Sequence, residues 1–194
     1  MYEIMHRGSL FDLGCEMLVN PVNCVGVDGA GLALEFKQRF PDNSRFYQRA
    51  CHAGHMYDGQ PLLYSREPKT DPNWIVNFPT KHHWRERGNV HLIWSGLAVL
   101  DAFINTLTPA SVAIPALGCG LGGLPFDQIE PMIRTMLLAT NHPKIEVRVY
   151  APQGFDPATS GENATVDHLE AAPVGDLLVH NPSRQPRHHG PMGK

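Results

Sequence analysis

Two glycine-rich segments constrain this chain more than any other feature. The first is Asn20-Pro21-Val22-Asn23-Cys24-Val25-Gly26-Val27-Asp28-Gly29-Ala30-Gly31-Leu32, which follows an apolar run and leads into a helical pattern. The second, Pro115-Ala116-Leu117-Gly118-Cys119-Gly120-Leu121-Gly122-Gly123-Leu124-Pro125, carries four glycines in six residues and also joins an apolar run to a helical pattern. Every glycine adds entropy to the unfolded chain, so such a loop is not there for stability. Its use lies in its backbone. Free N–H groups can wrap a diphosphate as a nest, and the helix N-terminus that follows adds a positive dipole end. No Gly-Lys-Ser/Thr follows, so this is not a Walker loop. A dinucleotide glycine pattern belongs after the first strand, which excludes that reading too. Alone, the first loop reads better as an ordinary strand-to-helix turn. Together, two such loops at the carboxyl ends of strands point to one anion-binding crevice.

Hydrophobic patterning supplies the frame. Short apolar runs predict strands at Tyr2–Met5, Met17–Val19, Pro61–Arg66, Trp74–Phe78, Ser111–Pro115 and Glu146–Tyr150. Helical periodicity predicts helices at Gly29–Phe40, Ser44–Ala53, Val90–Leu107 and Asp127–Thr140. The third has Ile93, Leu97, Leu100 and Ile104 on one face, and the fourth turns Ile129, Ile133, Met136 and Leu137 inward. Strands alternating with helices imply an α/β fold, a sheet covered by helices on both faces. Residues 1–155 are expected to form one domain. Beyond them, 156–194 is rich in Pro, Gly, Ser, Asn and His and is expected to be a flexible C-terminal tail, in which His188-His189 is given no function.

Composition narrows the functional classes. At 42% hydrophobic and 18% charged residues the chain reads as a soluble globular protein. A formal net charge of −3 argues against bulk attraction to a phosphate backbone, so a nucleic acid would have to be recognised locally. No apolar stretch reads as long enough to cross a bilayer, and the start carries no secretory pattern, so no membrane partner and a cytoplasmic location are expected. Cys15, Cys24, Cys51 and Cys119 show no Cys-x-x-Cys pair and no metal-type spacing, and read as reduced thiols. His52 and His55 lie three apart on a predicted helix but have no third partner, so no metal and no cofactor are expected.

A third segment, Asn77-Phe78-Pro79-Thr80-Lys81-His82-His83-Trp84, ends a strand with a lysine, two histidines and a tryptophan. A lysine at the end of a buried strand can have a partly desolvated amine, whose lowered pKa makes it a nucleophile. Surface lysine beside satisfied histidines is the ordinary alternative.

Taken together, the three segments resemble the macrodomain family over roughly residues 1–152. The combination rests on Val19-Asn20-Pro21-Val22-Asn23, Gly29-Ala30-Gly31-Leu32-Ala33 and Ile114 through Gly122. Asn77-Phe78-Pro79-Thr80-Lys81 with His83-Trp84 resembles the branch of vertebrate terminal ADP-ribose glycohydrolase and the DarG-type antitoxins, and the glycine wording is most similar to the latter. The resemblance implies a mixed, mostly parallel sheet and a hydrolase that removes ADP-ribose from a modified, single-stranded DNA base, countering a DarT-type toxin. A monomer is expected. Hydrolysis of ADP-ribosylated protein carboxylates or of ADP-ribose 1″-phosphate, and a non-catalytic ADP-ribose reader, are the alternatives.

By the same resemblance, Lys81 is the catalytic lysine and His83 or His82 a candidate acid. Asn23 reaches the distal ribose. Gly29, Gly31 and Leu32 lie under that ribose and the diphosphate, while Leu117, Gly118, Cys119, Gly120, Leu121 and Gly122 hold the diphosphate. Asn20 and Thr80 complete the pocket. Ser9 stands where many macrodomains have an adenine-binding Asp, which leaves the contact to the backbone of Ser9 or Leu10. Gly122 stands where the vertebrate enzyme has a catalytic Asp, which favours a mechanism centred on the lysine. Full-length members of the DarG branch carry a C-terminal toxin-binding domain, which the residues after Pro152 do not resemble. Trp84 is a candidate for stacking on a DNA base or equally for a plain core anchor, and Phe155 for stacking on adenine or sealing the core edge.

Overall fold

The computed structural model describes residues 1–12, 14–66, 71–139, 144–152, 154–155 and 179–180. In chain order these form β1 (Tyr2–Met5), β2 (Met17–Asn23), α1 (Gly31–Arg39), α2 (Pro41–His52), β3 (Leu62–Ser65), β4 (Trp74–Lys81), α3 (Val90–Leu107), β5 (Ser111–Pro115), α4 (Phe126–Ala139), β6 (Glu146–Tyr150) and β7 (Val179–His180). The strands build one sheet in the order β1-β6-β5-β2-β4-β3-β7. All neighbours run parallel except β3 and β4. The mixed, mostly parallel sheet is therefore as expected. Of the tail, Val179–His180 adds a short strand beside Leu63–Tyr64, and the rest of 156–194 lies outside the described residues.

Strand alternation assigns the two faces. Met17, Val19, Val76, Phe78, Val112, Ile114, Val147 and Val149 join the inner faces of α3 and α4 in the main core. Leu18, Ile75 and Ala113 point the other way, to Phe36 of α1. Val22 and Leu62 meet Tyr47 and Ala50 of α2 on that same side. The four residues predicted to face inward on α3, namely Ile93, Leu97, Leu100 and Ile104, are all fully buried.

Two strands run further than their sequence suggests. Pro21 and Pro79 read as stops, yet β2 continues to Asn23 and β4 to Lys81. A proline lacks one donor, so it fits a strand only where one side is unpaired. Both sit in such a place. β2 pairs with β5 only through Met17 and Leu18, and the pairing of β4 with β3 runs from Trp74 no further than Asn77. Past those points β2 and β4 hold only each other, and this two-stranded extension carries the site. Pro41 likewise starts α2 rather than merely ending α1, as a first-turn proline can.

By length and composition α3 qualifies as a membrane span, which corrects the expectation that no stretch does. Its packing gives it a different task. At 18 residues it is about 27 Å long, and its buried stripe covers β4 and α4.

The α3–β4 contact is tight. A Cβ on Gly96 would lie 2.6 Å from Cζ of the fully buried Phe78. Alanine in a helix gains about 1 kcal/mol over glycine, but overpacking a rigid core costs about 1–3 kcal/mol. The clash wins here because the ring has nowhere to move. Gly96→Ala should lower unfolding free energy by about 1–2 kcal/mol in a denaturant titration. An increase in stability would contradict this packing.

Candidate active site

Strands β5, β2 and β4 lie side by side and parallel, so the segments that follow them leave from one edge of the sheet. These are the three segments singled out in the sequence. In the extension of β2 and β4, Asn23 is the register partner of Lys81, just after a bulge at Val22. The Cys24 amide donates to the His82 carbonyl at 2.8 Å. The Gly88 amide donates to the Gly122 carbonyl at 2.8 Å, and Arg87 Nη2 to the Gly123 carbonyl at 3.1 Å. On the remaining side, a Cβ on Gly31 would touch Leu121 Cδ1 at 3.5 Å. The three loops thus form one cleft.

Lys81 joins two of its walls. Its Nζ donates to the Glu86 carbonyl at 2.8 Å and to the Leu121 carbonyl at 3.1 Å. The side chain is only 8% exposed. Desolvation lowers its pKa below the ordinary 10.5, while the Glu86 carboxylate pulls the other way. A larger fraction of the amine is therefore free at neutral pH than on a surface lysine. The folded state holds this proton less tightly than the unfolded chain, so the associated destabilisation fades as pH rises toward 10.5.

The second glycine loop is shaped by its own backbone. The Leu124 amide bonds the Gly118 carbonyl at 3.0 Å, and the Gly123 amide bonds the Gly120 carbonyl at 2.9 Å. Gly118 has φ +74°, a conformation that excludes most side chains. A Cβ on Gly122 would lie 2.3 Å from the Gly118 carbonyl oxygen, so no aspartate fits there without rebuilding the turn. Among the described residues, the amides of Gly118, Gly120, Leu121 and Gly122 donate to no protein acceptor. They are the donors an anion would need. Leu117 is fully buried and serves as the loop's anchor. Burial, then Asp127, pushes the Cys119 thiol up to about 12, which leaves it a packing group rather than a nucleophile.

The first loop is held from inside. The Asn23 amide accepts from the Val25 and Val27 N–H groups and from Tyr47 Oη, and donates to the Val27 carbonyl. Its side chain therefore braces its own loop. Gly29 is exposed and precedes Ala30, the N-cap of α1, which provides no side-chain cap. The first turn, which contains Gly31 and Leu32, has no acid either. Its N–H groups and dipole face the loop region uncompensated.

The other predicted residues separate into rim and support. Ser9 closes a small turn, its amide donating to Asp12 Oδ2 at 2.9 Å and its carbonyl accepting from the Asp12 amide at 3.1 Å, so its backbone is already engaged, and Leu10 is buried in the cluster with Phe36. Asn20 is 3% exposed and donates to Asn77 Oδ1 at 3.0 Å, which turns it into the sheet–α2 interface rather than the cleft. Thr80 is buried, with Oγ1 near the Val22 carbonyl at 3.4 Å. The His83 ring lies 5.4 Å from that of Trp84, and its Nδ1 accepts from the Arg85 amide. Phe155 packs edge-on against Phe126 at 4.8 Å and parallel to His6 at 6.3 Å. His52 bonds the Gln48 carbonyl at the end of α2, and His55 lies beyond that helix.

Sequence reasoning missed several participants. Asp28 is buried and accepts from Lys37 at 2.9 Å, Gln48 at 3.0 Å and Ser44, clamping the first loop onto α1 and α2. An acid between a glycine loop and a helix start was the available signal. Glu86 and Arg87 gave none, because their roles arise from loop-to-loop contact. The cleft also has an apolar rim. Val25, Val27, Trp84 and Leu121 are four of the seven large exposed hydrophobics among the described residues, and all four belong to these loops.

Two outcomes follow for the amine. Competitive acylation with mass spectrometry should give Lys81 a titration midpoint below the ordinary 10.5, and Glu86→Gln should lower it further, since that carboxylate raises it. A midpoint at or above 10.5 would remove the desolvation argument.

The sequence profile of the Macro domain family matches residues 19–133, a stretch that holds all three loops. A DNA ADP-ribosyl glycohydrolase of Thermus aquaticus is 43% identical over 146 residues, covering 75% of this chain and 40% of that protein. One from Mycobacterium tuberculosis is 39% identical over 154 residues, covering 79% and 43%. The chain therefore spans less than half the length of these curated relatives. Among solved structures, the macrodomain of Thermus aquaticus DarG superposes with a TM-score of 0.73 at 42% identity, covering 78% of this chain and 99% of that one. Thermosipho africanus DarTG in complex with ADP-ribose gives 0.68 at 35% identity, covering 75% and 40%. With the sheet order, the paired glycine loops and this profile match in agreement, the chain belongs to the macro domain family.

Proposed function

We propose that this protein hydrolyses the bond between ADP-ribose and a modified DNA base, countering a DarT-type DNA ADP-ribosyltransferase. One observation carries the reading. A nearly buried amine, Lys81, lies against the glycine loop whose free amides suit a diphosphate. A module that only read ADP-ribose would have no use for a desolvated lysine there. The names of the relatives, DNA ADP-ribosyl glycohydrolases and an ADP-ribose complex of DarTG, support the same substrate.

The chemistry follows from the arrangement. The amides of Gly118–Gly122 and the N-terminus of α1 bind the diphosphate and fix the distal ribose. The free amine of Lys81 attacks the anomeric carbon as the bond to the base nitrogen breaks, through an oxocarbenium-like centre. The bond electrons go to the base, which takes a proton. His83 can make that donation only as the imidazolium, with its Nδ1 contact to the Arg85 amide opened, because in the neutral ring that contact leaves a single hydrogen on Nε2 that is too weakly acidic to transfer. Water then cleaves the sugar–lysine bond, freeing ADP-ribose and restoring Lys81. With Gly122 barring a side chain, the glycine turn offers no aspartate to share the work.

Local features support a DNA strand despite the negative net charge. Trp84 is 45% exposed, and the Arg85 guanidinium sits 4.5 Å from its ring centre. An exposed aromatic flanked by Arg85 and Arg87 suits a stacked base and its phosphate.

Lys81→Ala should keep ADP-ribose affinity and lose release from ADP-ribosylated single-stranded DNA; wild-type turnover by this variant would end the covalent mechanism. Given both base-modified DNA and glutamate-modified protein, the wild type should free ADP-ribose from the DNA. Release from the protein alone would overturn the assignment. Trp84→Ala should weaken binding of modified DNA by about 1–3 kcal/mol while leaving free ADP-ribose affinity unchanged, as measured by calorimetry.

A further inference from the structure

Behind the cleft, three segments distant in sequence bring a thiol, a carboxylate and an imidazole together. Cys24 Sγ lies 3.3 Å from Asp58 Oδ1, and His82 Nδ1 lies 2.9 Å from the same oxygen. All three donor atoms fall within 4.8 Å of one another. The spacing of cysteines and histidines along the chain excluded a metal site, because only the fold assembles this set. We propose that Cys24, Asp58 and His82 form a binding site for a zinc-class divalent cation.

The geometry fits such an ion closely. Tetrahedral zinc with bonds of about 2.3 Å to sulfur and about 2.0–2.1 Å to nitrogen or oxygen places its ligands about 3.3–3.6 Å apart. The two separations from Asp58 Oδ1, 3.3 Å to Cys24 Sγ and 2.9 Å to His82 Nδ1, need to open by only a few tenths of an ångström. The donor set, one soft thiolate with imidazole and carboxylate, is that of zinc rather than of calcium or magnesium. Cys24 is buried, while the Asp58 and His82 side chains are 49% and 58% exposed, which leaves the fourth position to water. Three protein ligands with one open position is a recognised zinc arrangement.

The scaffold is already in place. The Cys24 amide is tied to the His82 carbonyl at 2.8 Å, which fixes two of the ligands relative to each other. The turn that carries Asp58 is pressed onto α3, since a Cβ on its neighbour Gly59 would lie 2.8 Å from Ser95 Cβ. On binding, the Cys24 thiol gives its proton to solvent. The His82 ring, whose Nδ1–H now donates to Asp58, releases that proton, carries its hydrogen on Nε2 and coordinates through Nδ1, so a bond to the ion replaces the present contact. Cys24 follows Asn23 and His82 follows Lys81, so the ion would cross-link the backbones of the first and third loops. The proposal does not depend on which reaction the cleft performs.

Cobalt(II) and zinc titrations of the full chain test it. Cobalt should produce a thiolate charge-transfer band in the near ultraviolet, with one ion per chain, and zinc should displace it. That band reports sulfur ligation, so histidines elsewhere cannot mimic it. Cys24→Ser should abolish the band, whereas Cys51→Ser should retain it. Asp58→Asn removes an exposed ligand without opening the core, and should weaken zinc binding by at least about tenfold, the lower end of what losing even an outer-shell partner costs. At the same zinc concentration the melting temperature should also rise more for the wild type than for Asp58→Asn. No band, a band that survives Cys24→Ser, or equal zinc stabilisation of both proteins would each overturn the site.

Discussion

Parallel pairing of β2 between β5 and β4 is the constraint on which the site rests. Parallel strands send their carboxyl ends to one edge, so the segments following all three must emerge together. Those segments carry the two glycine loops and the lysine. The pairing of β2 with β5 then stops at Leu18, and that of β4 with β3 stops at Asn77. The freed ends of β2 and β4 extend as a two-stranded ribbon that holds Asn23 beside Lys81. Pro21 and Pro79 are tolerated there because one flank of each strand has no ladder to satisfy.

Buried polar groups make that ribbon rigid. Asn20, Asn43 and Asn77 share amide hydrogen bonds of 2.8–3.1 Å between the sheet and α2. Asp28 gathers Lys37, Ser44 and Gln48 on the same side. An unpaired buried polar group costs about 1–3 kcal/mol, so once α2 is docked these groups strongly favour a single position of the first loop. Only Asn20 Oδ1 is left without a partner in the amide set, among the described residues. The polar interior of this face thus serves the cleft from behind, while the apolar core under α3 and α4 supplies the bulk of the burial.

The cleft itself spends donors sparingly. Its glycine loop satisfies its carbonyls with the amides of Gly88, Gly123 and Leu124 and with Arg87 and Lys81, and leaves a set of N–H groups free. Lys81 is held by carbonyls rather than by a carboxylate, so no strong ion pair opposes the desolvation that lowers its pKa. Amides without a protein acceptor and a weakly held amine are thereby combined within one small region among the described residues.

Much of this was legible in the sequence, for local reasons. Hydrophobic period set the strands and the α3 stripe, since burial on one face repeats along the chain. Glycine density marked the second loop, because few other uses justify its entropy. The strand-end lysine stood out by its position after a buried run. Other features were decided only by tertiary structure. The extension of β2 and β4 past their prolines depends on which flanks are paired, a property of sheet order. Asn20 reads as a ligand residue by motif, yet strand alternation and the docking of α2 turn it into the interior. Glu86 and Arg87 acquire roles only when their loop meets the glycine turn, and Cys24, Asp58 and His82 become neighbours only when β2, β4 and the turn before β3 converge. Sequence records the chemistry each residue carries. Which of those chemistries meet is set by strand order, which depends on contacts between segments far apart in the chain.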